Sequence, residues 1–208
     1  MVDSAIASGT AGRRSVFEVF ARRLPGERRY GVVAGTGRVV EAVRDFRFGP
    51  EEIAYLESAG IVSERTLAWM EGYRFTGDVY GYTEGECYFP HSPVLTVLGT
   101  FAEACVLETV ILSILNHDSA VATAASRMTA AAHGRPCLEF GARRTHETAA
   151  VHAARAAVIA FTCANCFTRP GADRATARQL AASKTEANPM GQKYPSAPVL
   201  LGHLAIDS

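Results

Sequence analysis

Apolar and polar positions alternate between two periods along the first 160 residues. Residues 16–24 (VFEVFARRL) are rich in Val and Phe and stop at Pro25-Gly26, which predicts a strand closed by a turn. Residues 30–34 (YGVVA) predict a second, short strand. Gly35-Thr36-Gly37 then turns the chain, and Val39, Val40, Val43 and Phe46 recur at helical spacing. Two further helices are expected over 50–58 and 63–72, the first opening on Pro50 and the second capped by Ser63. Residues 75–97 are aromatic and β-branched, interrupted by Gly85-Glu86, Pro90 and Pro93, and predict two or three strands. Leu107, Ile111, Ile114 and Leu115 mark a helix over 101–116, and an Ala-rich run marks another over 119–132. Residues 137–141 (CLEFG) predict a short strand, followed after a charged turn by an Ala-rich helix over 146–160. A strand, a turn and a helix in that order form a β/α unit, which ordinarily continues into another strand. Residues 162–208 instead hold Pro170, Pro189, Pro195 and Pro198 with little apolar period, and an irregular tail is expected there.

Composition narrows the class. The chain has 208 residues, 48% hydrophobic and 20% charged, and its 21 Lys+Arg balance its 21 Asp+Glu. That balance gives no electrostatic reason to expect nucleic acid or an acidic membrane as partner. The most apolar stretch, 101–115, carries Glu103 and Glu108 and falls short of the roughly 20 residues a bilayer span needs. Five scattered cysteines fit reduced thiols and a cytoplasmic location better than a disulfide framework.

Several short patterns invite chemistry and lose most of their appeal on inspection. Gly35-Thr36-Gly37 lacks the third glycine of a dinucleotide fingerprint and the Gly-Lys-Ser/Thr of a P-loop, so it reads as a turn. Cys163-x-x-Cys166 has no second cysteine pair, and the six histidines show no ligand spacing; no metal site is expected. Glu103 and Glu108 sit on an apolar helix, where each is expected at the rim or beside an arginine. The sharpest feature is Glu139-Phe140-Gly141-Ala142-Arg143-Arg144. At the carboxyl end of a strand, Phe140 would stack on a planar ring, while Arg143 and Arg144 would hold phosphate or carboxylate.

In combination, residues 16–48, the YLESAGI segment, residues 74–117 and residues 137–160 resemble nicotinate phosphoribosyltransferases of an actinobacterial kind. The resemblance rests on the Phe-Gly-x-Arg-Arg element, the Glu-Gly-Glu stretch before Pro-Val-Leu-x-Val, and the Leu-Glu-Thr…Leu-Asn-His helix. It implies an α/β chain. An α+β N-terminal domain over 1–100 would be followed by linking helices and the first β/α unit of an irregular, incomplete α/β barrel over 101–161, then by a divergent tail over 162–208. It also implies a reaction: nicotinate and phosphoribosyl pyrophosphate give nicotinate mononucleotide, coupled to hydrolysis of ATP with Mg through a phosphohistidine, with no tightly bound cofactor. A homodimer is implied as well. By motif position, Phe140 would stack on the pyridine ring and Arg143, with Arg144 beside it, would contact phosphate. The family's Asp-x-Tyr-x-x-Thr-Met opening has no counterpart here, and neither has the Gly-Thr-x-x-His element bearing the phospho-accepting histidine. No catalytic residue is therefore assigned, and a truncated chain of weak or no activity is expected. A non-enzymatic product pairing with an intact paralogue stands as one alternative. A phosphoribosyltransferase using quinolinate or nicotinamide stands as another.

Overall fold

The computed structural model describes residues 1–168 and 203–206. A short helix, α1 (Val2–Ala7), precedes β1 (Arg14–Ala21), β2 (Gly31–Val32) and helices α2 (Thr36–Asp45), α3 (Pro50–Ser58) and α4 (Glu64–Glu71). Strands β3 (Asp78–Gly81), β4 (Cys87–Tyr88) and β5 (Leu95–Thr100) lead into the long helix α5 (Phe101–Ala131). A 3-10 turn (Gly141–Arg144), α6 (Ala150–Thr168) and β6 (His203–Ile206) complete the described chain. The mixed α/β class expected from the sequence is what forms.

The main sheet has the order β3-β5-β1-β6. β1 and β5 run antiparallel, and their register places Phe17 opposite Val97 and Val19 opposite Leu95. All four side chains are buried on one face, as period-2 alternation requires. Onto that face α5 lays Leu107, Ile111 and Leu115, and α2 adds Val39 and Val43. Each of these buried aliphatics contributes on the order of 1.5–3 kcal/mol over its exposed state. A smaller cluster of Ala122, Ala125, Ala156, Ala157 and Ala160 joins α5 to α6, where small side chains let the two helix backbones approach closely.

Helix α5 departs from expectation. Residues 101–116 and 119–132 are one continuous helix, opened by a capping box in which Thr100 and Glu103 satisfy each other's backbone amides. Glu103 also accepts from Thr76 Oγ1 at 3.0 Å, so it serves as a cap at the rim. With a mean hydropathy of 1.3 in its most apolar window, α5 is long and apolar enough to cross a bilayer; the length argument made from 101–115 alone does not hold. It serves instead as the core helix between sheet, α2 and α6.

Three further expectations are corrected. Residues 137–141 form no strand, and the chain passes through them into the 3-10 turn. A parallel barrel strand is held by backbone bonds from its neighbours, and the described residues place none beside it. The expected irregular tail from 162 is interrupted twice. α6 runs on to Thr168, with no proline before Pro170, and His203–Ile206 pairs parallel to the edge of β1, with Glu18 opposite His203 and Ala21 opposite Ile206. An unpaired strand edge is a template for such addition. The remainder of the tail, with Pro170, Pro189, Pro195 and Pro198, lies outside the described residues.

Helix α1 carried no signal in the sequence and is tied down by one side chain. Asp3 accepts from the Ser63 amide at 3.0 Å and from the Ser63 and Thr66 hydroxyls at 2.6 Å each. Ser63 thus occupies the cap position of α4 but spends its hydroxyl on Asp3. These bonds, Ser63 first and Thr66 second, lower the Asp3 pKa from 3.8 to about 2. A carboxylate whose folded pKa is depressed contributes stability above its unfolded value and loses it as pH falls through the folded one. The α1–α4 tether therefore holds above pH 3.8 and releases on acidification toward pH 2. Carboxyl carbon shifts of Asp3 across that range should titrate with a midpoint near 2; a midpoint near 3.8 would rule out the tether in solution.

Candidate functional site

The residues singled out from the sequence lie together on the surface, between α5 and α6. Phe140 precedes the 3-10 turn and is 75% exposed. Arg143 and Arg144 are exposed on the turn itself, and among the described residues neither makes a hydrogen bond or ion pair. The turn packs on α6, and Glu139 accepts the amide of Gly141 through its side chain. A ring and two unspent guanidiniums thus face solvent on one short turn. Such a set can stack on a planar aromatic and grip an anion bidentately.

A second polar assembly, missed in the sequence, lies where α2, α5 and α6 meet. Asp118 is fully buried in α5 and accepts from Arg38 Nη1 at 2.9 and 3.0 Å. Its Oδ1 also lies 2.8 Å from His117 Nδ1, which donates in the tautomer the carboxylate selects. Beside it Glu84 takes both Nη atoms of Arg155, at 2.9 and 2.6 Å, and the amide of Gly35 at 2.8 Å. The Glu84 hydrogen bonds, ahead of every other influence, raise the Arg155 guanidinium above its ordinary pKa.

These groups act on an irregular backbone. β2 is two residues long, so amides beyond its pairing with β4 need other partners. Thr123 Oγ1 accepts from Val32 N at 2.8 Å, and Ser119 Oγ bridges the amide and carbonyl of Ala34 at 3.2 Å each. Ser119 and Thr123, polar residues on an otherwise apolar helix, are therefore a ladder for this segment. Gly35 follows at φ 96°, in the left-handed region. A Cβ there would stand 3.0 Å from Ile114 Cγ2 and 3.1 Å from Asp118, so the Gly-Thr-Gly element is a packed turn. Arg38, Ser113, His117, Thr148 and His152 line an open groove of about 330 Å³ next to this assembly.

Comparison with known proteins bears on the chain as a whole. The model of the nicotinate phosphoribosyltransferase (NAPRTase) N-terminal domain matches residues 1–116. Over 160 residues the chain is 57% identical to nicotinate phosphoribosyltransferase pncB1 of Mycobacterium tuberculosis, covering 77% of this chain and 35% of that protein. It is 33% identical over 172 residues to the nicotinate phosphoribosyltransferase of Bacillus subtilis, covering 82% and 35%. The crystal structure of human nicotinic acid phosphoribosyltransferase superposes with a TM-score of 0.70 at 26% identity, over 77% of this chain and 33% of that one.

A four-stranded mixed sheet backed by one long helix, superposing on human nicotinic acid phosphoribosyltransferase, defines part of a pyridine phosphoribosyltransferase fold. Within that class, the chain belongs to the nicotinate phosphoribosyltransferase family. It spans about a third of the length of the curated relatives it matches.

Proposed function

We propose that this chain supplies the N-terminal part of an enzyme that joins nicotinate to phosphoribosyl pyrophosphate, with ATP hydrolysis, on the route to NAD. In that reaction the pyridine nitrogen forms a bond to the ribose anomeric carbon as the bond to pyrophosphate breaks. The 57% identity over 160 residues carries this reading. Phe140 would stack on the pyridine, and Arg143 and Arg144 would hold phosphate or carboxylate. Homodimerisation and a cytoplasmic location belong to the same proposal. Among the described residues no three His, Cys, Asp or Glu side chains converge.

The energetics of the exposed turn favour weak binding by this chain alone. A stacked ring contributes about 0.5–1.5 kcal/mol and each charge-assisted contact roughly 1.5–3 kcal/mol. Immobilising a small ligand costs several kcal/mol, estimated at about 4 or more. Nicotinate mononucleotide should therefore bind the chain with a dissociation constant on the order of millimolar. Arg143→Ala should weaken that about tenfold. Incubated with nicotinate, phosphoribosyl pyrophosphate, ATP and Mg, the chain by itself should give no product above background. Mononucleotide binding that survives loss of both Phe140 and Arg143 would remove the assignment of the turn.

A further inference from the structure

The groove beside the Arg38–Asp118–His117 assembly has no part in the reading above, and its chemistry can be argued independently of it. Three segments supply its walls. Arg38 comes from α2, Ser113 and His117 from successive turns of α5, and Thr148 and His152 from the entry and first turn of α6. Arg38, Ser113 and the two histidines are of donor type, and no carboxylate lines the groove.

Asp118 and Glu84 are already engaged. Asp118 is completely buried behind the wall, with both oxygens on Arg38 Nη1 and one also on His117 Nδ1. Glu84 is held by Arg155, and Glu41 on α2 acts electrostatically on the same arginine. Asp118 therefore orients two groove residues without facing the groove. Arg38 keeps Nε and Nη2 without a protein partner among the described residues, and its charge is permanent. His117 keeps Nε2 without a protein partner among the described residues. His152 and the Ser113 hydroxyl also have no protein hydrogen bond among the described residues; Thr148 Oγ1 donates to His146 Nδ1 at 2.8 Å, because that nitrogen also accepts the Thr148 amide, and so its proton is spent.

We propose that this groove binds a phosphate-class oxyanion, either free inorganic phosphate or the phosphate of a phosphomonoester. A fixed guanidinium, two imidazoles and the Ser113 hydroxyl, converging from three segments, match the acceptor-only periphery of such a group. The groove is open, so affinity is on the order of millimolar.

The test is an NMR titration of the full chain at fixed pH and ionic strength. Inorganic phosphate and glycerol 3-phosphate are the probes, chloride is the control, and the readouts are the imidazole resonances of His117 and His152. Saturable shifts of both with phosphate, absent with chloride, are expected; a stronger response to glycerol 3-phosphate assigns the site to esters and a weaker one to the free ion. The His152→Ala, Ser113→Ala pair leaves Asp118 and Arg38 untouched and should weaken phosphate about tenfold. Should that pair lose its near-ultraviolet dichroism, the phosphate and chloride arms on the unmodified chain still decide. Non-saturable shifts, equal shifts with chloride, or undiminished affinity in a folded double variant would each overturn the proposal. So would Zn²⁺ moving the two resonances where phosphate does not, since the groove would then be a cation site.

Discussion

Asp118→Ala should lower the unfolding free energy by about 3 kcal/mol, the low end of the range for removing one partner of a buried ion pair. Asp118 is completely buried, whereas Arg38 keeps 23% of its side chain exposed. The stranded guanidinium can therefore turn partly into water, which keeps the cost from reaching the upper end. His117 loses its orienting carboxylate in the same step. Asp118→Asn retains the shape and one acceptor, and should lose about 1.5 kcal/mol, the worth of one hydrogen bond to a charged group. Urea unfolding followed by circular dichroism would measure both. An alanine variant less than about 1 kcal/mol below the parent would show that the pair behaves as a surface salt bridge.

Gly77→Ala should cost about 3 kcal/mol, at the top of the usual range for overpacking. A Cβ at Gly77 would overlap the carbonyl oxygen of Leu98 and come within 2.8 Å of a Phe75 ring carbon and 2.9 Å of Gly99 Cα. The phenyl ring can swing aside, but two of these atoms are β5 backbone. Moving them disturbs the register in which Asp78 faces Leu98 and Val79 faces Val97. Gly12→Ala is the control: its Cβ meets nothing within 4 Å, and the change should stay within about 0.5 kcal/mol. Equal stability of the two variants would mean that β3 does not pair with β5 in solution.

Legibility in the sequence followed the range of the interaction. The alternation of Phe17, Val19 and Ala21 is local, and β1 formed where it pointed. Pro50 opens α3, and the valines of α2 repeat on one face, so those helices could be read one turn at a time. The polar run at 116–119 misled for a definite reason. Asn, His, Asp and Ser are residues that commonly cap or break helices, and two helices were expected there. In α5 the demands of Asp118 and Ser119 are met from α2 and the turn before it, so the helix has no cause to stop. Residues 137–141 misled in the opposite sense, because a barrel strand there asks for neighbouring strands that the described residues do not provide.

By itself the sequence determined the family and the composition of the aromatic–arginine turn, since both reside in contiguous motifs. It also determined the apolar faces of β1, α2 and α5, which follow from periods of 2.0 and 3.6 residues. The tertiary structure alone decided what surrounds Asp118. Arg38 and Asp118 lie 80 positions apart, Glu84 and Arg155 lie 71 apart, and the Val32–Thr123 bond spans 91. No local pattern records such pairs. A buried carboxylate becomes stable when distant donors are brought to it, and packing α2 and α6 on α5 is what brings them.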